Sequence, residues 1–155
     1  LVLSLRYKNA SLSRKKTMVL PNAPEARPFY QAAKQRFEDA RFLLDAERTT
    51  GAIYLAGYCV ECMLKALILS ALAKSKRIEM LASFRGSKAH DYDWLKARYL
   101  KNGGPQFPKS ITIAFSFVNT WAVEIRYMAG AAKYEDAETF LKSTEEIMIW
   151  ADERI

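Results

Sequence analysis

The run from Ala52 to Ala73 constrains this chain more than any other stretch. It is apolar nearly all round. A helix with that pattern sits either at the centre of a bundle or in a membrane. Its length allows a membrane span. Two charges stand near its middle, Glu61 and Lys65, and each costs about 2.5–3.5 kcal/mol on insertion scales. They lie four residues apart with the acid first, the favourable order for an ion pair within one helix. The expectation is a central helix of a soluble bundle, with Glu61 and Lys65 as a buried polar pair and no membrane partner.

The flanking segments supply the helices that cover it. Pro21, Pro24 and Pro28 hold off a first helix until about Pro28. Phe29, Ala33, Phe37, Ala40 and Leu44 then form an amphipathic stripe, which Thr49-Thr50-Gly51 should end. After the central helix, Lys74, Lys76, Arg77, Arg85 and Lys88 read as a basic loop. Asp91 or Asp93 can cap a short helix running to about Leu100, and Asn102-Gly103-Gly104-Pro105 breaks it. Pro108 suits the first turn of the next helix, whose stripe is Ile111, Phe115, Val118, Ala122 and Ile125. A loop is expected over 128–132. The last helix should start near Glu135-Asp136, where acids favour the N-terminal dipole. Its stripe is Ala137, Leu141, Thr144, Met148 and Ala151, with Phe140, Ile147 and Trp150 beside it. No strand-like alternation of any length occurs. The fold class expected is all-α, an up-and-down four-helix bundle with an additional short helix.

Composition narrows the function classes. At 155 residues there is room for one domain. Half the residues are hydrophobic and 26% are charged, which fits a globular chain. Two cysteines, Cys59 and Cys62, and one histidine, His90, exclude a disulfide framework, a His/Cys zinc site and a multi-histidine centre. No metal or cofactor is expected. The net charge is +7, and five of those charges are Arg6, Lys8, Arg14, Lys15 and Lys16. Residues 1–28 therefore read as a basic tail, flexible or foreign to the natural chain, and 29–155 as the folded domain. The tail lacks the charge-then-apolar order of a signal peptide, and a Cys-x-x-Cys pair left as thiols fits a reducing compartment. A cytoplasmic location is expected. The two cysteines lie within a helix and read as small apolar residues, without redox function.

Several segments together resemble the HEPN family, small all-helical domains of higher eukaryotes and prokaryotes. Lys34 to Leu44 is similar to the family's opening Ala/Leu-rich run. Gly51 to Leu69 resembles its second helix, in which a tyrosine or histidine, a glutamate and a lysine punctuate an apolar face; here these are Tyr54 or Tyr58, Glu61 and Lys65. Ala89-His90-Asp91 with Leu95 resembles its "HDL" element. Glu124-Ile125-Arg126-Tyr127 resembles "EARY", and Tyr134-Glu135-Asp136-Ala137-Glu138 the start of its final helix. Together these cover about residues 29–153, in family order.

The resemblance implies a function related to nucleotides or RNA. Some members are metal-independent ribonucleases, often toxins of toxin–antitoxin pairs. Others are noncatalytic, bind nucleotides or partner a small nucleotidyltransferase, and many are homodimers. The ribonucleases carry Arg-x4–6-His, an imidazole to move the 2′-OH proton and a guanidinium to stabilise the phosphorane. Here Arg126 stands at the arginine position, but no histidine occurs in 127–155. The literal Arg85-x4-His90 match lies at the "HDL" element, away from the catalytic place. Three readings stay open. The first is a noncatalytic, prokaryotic nucleotide- or RNA-interacting module, a homodimer beside a nucleotidyltransferase or toxin–antitoxin partner. In it, Arg126 contacts phosphate, with Lys65, Glu61 and Tyr127 shaping the pocket. The second is a ribonuclease with an altered site using Arg126, His90 and a tyrosine. The third is a pure interaction scaffold. For Arg126 the structural alternative is a cation at a helix C-terminus, or a partner for Glu61 or Glu124. For Glu61 and Lys65 it is an ion pair holding register. For His90 it is a cap or a backbone hydrogen bond. Trp121, Trp150, Phe115 and Phe117 read as core or dimer seam.

Overall fold

The structure, a computed structural model, describes residues 19–127 and 130–155, with 121–124 and 126 as backbone alone. Six α-helices follow in order: α1 Arg27–Asp45, α2 Thr49–Ala71, α3 Lys74–Ser83, α4 Tyr92–Lys101, α5 Lys109–Glu124 and α6 Tyr134–Asp152. Short 3-10 turns at Pro24–Ala26, Ser87–His90 and Ile125–Tyr127 join them.

The apolar helix is at the centre, as its pattern demands. Helix α2 touches each of the other five. Among the described residues it is the one helix long and apolar enough to cross a membrane, and 78% of its apolar window is buried inside the protein. Ala33 and Ala40 on α1 and Ala52 and Ala56 on α2 are fully buried; such small side chains let the two backbones approach closely. The α6 stripe is buried as expected, including Phe140, Ile147 and Trp150. On α5, Ile111, Phe115 and Val118 are buried, whereas the side chain of Ala122 lies outside the described residues. Lys34 of α1 ion-pairs with Asp152 at the end of α6.

Four expectations need correction. First, 74–83 is not loop but the helix α3. Its apolar signal is weak because only Met80 is buried, while Ile78 and Leu81 face outward. Its residues are nonetheless good helix formers, and Arg77 Nε donates to Leu72 O, 3.1 Å, at the end of α2. The bundle thus has two short helices, not one. Second, Thr49-Thr50-Gly51 begins α2 instead of ending α1. Thr49 Oγ1 donates to Ala132 O (2.6 Å), and Ala132 N–H donates to Thr50 Oγ1 (3.1 Å), pinning the segment before α6 to the start of α2. Third, among the described residues the His90 side chain neither caps α4 nor bonds backbone; it meets Glu61. Asp91 is the cap, accepting from Trp94 N–H at 2.9 Å. Fourth, residues 21–26, read with the tail, lie against the bundle: Ala23 and Ala26 are buried.

Helix α1 stops without glycine. Glu47 takes the left-handed backbone (φ 59°). Arg48 N–H bonds Leu43 O and Glu47 N–H bonds Leu44 O, the paired bonds that close a helix when the residue past its cap turns left-handed. A glutamate there carries the Cβ penalty that glycine avoids. Glu47→Gly is therefore expected to raise unfolding free energy by about 0.5–1 kcal/mol in urea titration; a loss of stability would contradict this assignment.

Candidate functional site

Away from its ends, α2 reaches the surface along a single strip: Tyr54 and Tyr58 are exposed, and Leu55 and Cys62 are partly so. The two tyrosine rings pack edge to face, 5.2 Å between centroids. One turn further along, the strip meets the buried charges. Glu61 and Lys65 are each 6% exposed, and Lys65 Nζ lies 2.7 Å from Glu61 Oε1. The same oxygen is 3.0 Å from Nδ1 of His90, whose side chain is half-exposed.

Lys65 has further company. The ring centroids of Phe29 and Phe84 stand 5.8 and 5.6 Å from its ammonium, and these two rings are themselves edge to face at 5.7 Å. Cation–π contacts within about 6 Å offset part of the cost of removing an ammonium from water. Lys65 is thus held by one carboxylate and two rings supplied by α1 and the end of α3. The sequence pattern gave no sign of those rings: Phe29 counted as part of a core stripe, and Phe84 is an isolated aromatic in a basic stretch.

Beside Glu61 a small cleft opens, lined by Ile53, Tyr54, Gly57, Tyr58, Glu61, Tyr92 and Ile125. Tyr92 O–H donates to Gly57 O, and a Cβ at residue 57 would come within 3.0 Å of that hydroxyl. Glycine here lets α4 close on α2. The cleft volume is about 30 Å³, room for roughly one or two waters and far below the several hundred Å³ of a ligand pocket.

The sequence-derived site residues divide accordingly. Glu61, Lys65 and His90 come together. Glu61 lines the cleft and His90 sits on its carboxylate, while Lys65 is not among the described lining residues. Ile125 lines the cleft and lies next in sequence to Arg126, whose side chain lies outside the described residues, as does that of Glu124. Tyr127 is 88% exposed and does not line the cleft. Trp150 and Phe115 are core and Phe117 packs against it; the Trp121 side chain is not described. Cys59 is buried with its Sγ 3.1 Å from Met148 Sδ. Burial raises both thiols, Cys62 to about 11 with Glu61 adding to the effect, so neither is a ready thiolate near neutral pH. No cluster of metal-ligating side chains occurs among the described residues.

The arrangement places two edge-to-face phenol rings at one opening, with an imidazole held on the Glu61 carboxylate that lines it. A family model of the HEPN domain matches residues 26–154. No curated protein and no solved structure matches the chain.

Removing one partner of a buried ion pair strands the other charge, at about 3–5 kcal/mol. Glu61→Leu should cost that much in urea unfolding, and adding Lys65→Met should recover at least half of it. A double variant no more stable than Glu61→Leu alone would show that the pair is not coupled.

Proposed function

Because the chain belongs to the HEPN domain family, whose domains are generally nucleotide- or RNA-related, we propose that it is a noncatalytic nucleotide- or RNA-binding module. The base lies against Tyr54 and Tyr58 at the cleft mouth, and Arg126 meets the phosphate. One observation carries this reading: the chain's one imidazole is engaged with Glu61 Oε1, next to an exposed pair of edge-to-face tyrosine rings on α2. Aromatic faces hold bases with little sequence demand. The ribonucleases that the family resemblance brings in pair their arginine with a histidine four to six residues later, and no histidine follows Arg126 in 127–155.

The cleft is too small to enclose a nucleotide, which supports a homodimer whose second copy supplies the opposite wall. A nucleotidyltransferase or a toxin–antitoxin component is the partner proposed for this dimer. The ribonuclease reading has one observation in its favour. Glu61 fixes Nδ1 of His90, which is how a carboxylate prepares the other ring nitrogen to act as base.

Thermal shift tests the proposal. A nucleotide at ten times its Kd adds about 1.4 kcal/mol of stability, a rise of about 3–5 °C for a domain of this size. ATP, GTP or a nucleoside monophosphate should produce that rise in the wild type, and Arg126→Ala and Tyr54→Ala/Tyr58→Ala should each remove it. Total RNA should stay intact. No shift with any nucleotide would end the reading of the cleft as a nucleotide site, and RNA cleavage lost in His90→Ala would favour the enzyme.

A further inference from the structure

The positive charge of the folded part is concentrated in the segment that forms α3 and α4. Residues 74–101 hold eight cations against three acids, whereas 102–155 hold five against eight. The cations of 74–101 are also mostly unmatched. Among the described residues, Lys76, Arg85, Lys88, Arg98 and Lys101 have no carboxylate within ion-pair distance. Lys34, Arg36, Lys65, Arg77, Lys142 and Arg154 each have one.

Three of these free cations line one groove. Between the end of α2, α3 and the last turn of α4 lies a channel of about 220 Å³, several times the cleft beside Glu61. Its floor is Leu72 and Met80, and its walls carry Lys76 from α3 and Arg98 and Lys101 from α4, with Glu79 the one acid among the described lining residues. Arg98 stacks on Trp94 one turn back, 4.8 Å from the ring centroid, so a flat cation–indole pair stands beside the groove. Cations on two helices above an apolar floor, flanked by a stacked plane, suit a chain that alternates phosphates with flat bases. They suit a lone carboxylate or a mononucleotide less well.

We propose that the α3–α4 groove is a docking surface for the backbone of single-stranded RNA, separate from the Glu61 cleft. Lys76, Arg98 and Lys101 contact phosphates, and the Arg98–Trp94 stack supports a base. Arg85 and Lys88 continue the positive surface toward His90, so the strand leads from the groove along α4 to the cleft. The helical rise puts the two ends of α4 about 14 Å apart. The inference rests on the RNA half of the proposed function, and it commits to a polymer where that reading allows either a polymer or a nucleotide.

Fluorescence anisotropy with a labelled single-stranded RNA of about ten nucleotides tests it on the full chain. The groove variant is Lys76→Gln/Arg98→Gln/Lys101→Gln. A control of equal charge loss is Arg41→Gln/Lys133→Gln/Lys142→Gln, on the side of α1 and α6. Each phosphate contact on a single strand contributes about 0.7 to the slope of log K against log salt. The groove variant should bind about tenfold more weakly with a slope lower by about 2, while melting as the wild type does. The control should stay within about twofold of wild type. An unchanged affinity in the groove variant, an equal loss in the control, or equally tight binding of polyglutamate by the wild type would overturn the groove. The nucleotide thermal shift separates the two readings. Wild type that shifts with nucleotide but does not bind RNA loses the groove and keeps the cleft. RNA binding that falls in the groove variant, with no nucleotide shift in the wild type, does the reverse.

Discussion

The contact between Glu61 and Lys65 is the constraint around which this bundle is organised. Helix α2 must be apolar to serve five neighbours, yet it carries two opposite charges in its interior turns, 2.7 Å apart and almost fully covered. Burying such a pair is costly unless its remaining faces are satisfied. The chain meets that demand from three other segments: Phe29 from α1, Phe84 from the end of α3 and His90 from the turn before α4. Each must arrive at the right register for the charges to be tolerated. The pair therefore does more than add stability. It fixes where the outer elements sit on the central helix.

The same arrangement decides what remains available for a ligand. The Lys65 ammonium is committed to Glu61 and two rings, so it is poorly placed to meet a phosphate. Charge for an anion has to come from elsewhere: from Arg126, one residue past the Ile125 that lines the cleft, or from the unmatched cations of α3 and α4. What the α2 strip and the turn before α4 do offer is a pair of phenol rings and an oriented imidazole. In the proposed reading the molecule keeps its aromatic and its cationic contributions on neighbouring surfaces at the two ends of α4, a division that favours an extended ligand over a small one.

Much of this was legible in the residues. The all-apolar character of 52–73 announced a central helix, and the i, i+4 spacing of Glu61 and Lys65 announced their pairing. The stripes of α1 and α6, most of that of α5, and a cap at Asp91 or Asp93 followed from period and residue type. Other features were hidden for physical reasons. Helix α3 buries little apolar surface, so its period is faint beneath its lysines and arginines. Helix α1 ends at a left-handed glutamate, where a reader looks for glycine and so runs on to Gly51. The rings around Lys65 and the meeting of His90 with Glu61 join residues 19 positions or more apart along the chain. Only tertiary packing reveals such contacts.

The central claim is that the surface strip of α2, anchored by Glu61, is where this domain meets a nucleotide. Titrating AMP into isotope-labelled protein and following side-chain NMR signals addresses it directly. The account predicts saturable shifts in the Tyr54 and Tyr58 rings and the His90 imidazole, with the rings of the buried residues Phe140 and Tyr99 unmoved. Saturable shifts elsewhere that leave Tyr54, Tyr58 and His90 unchanged would contradict it.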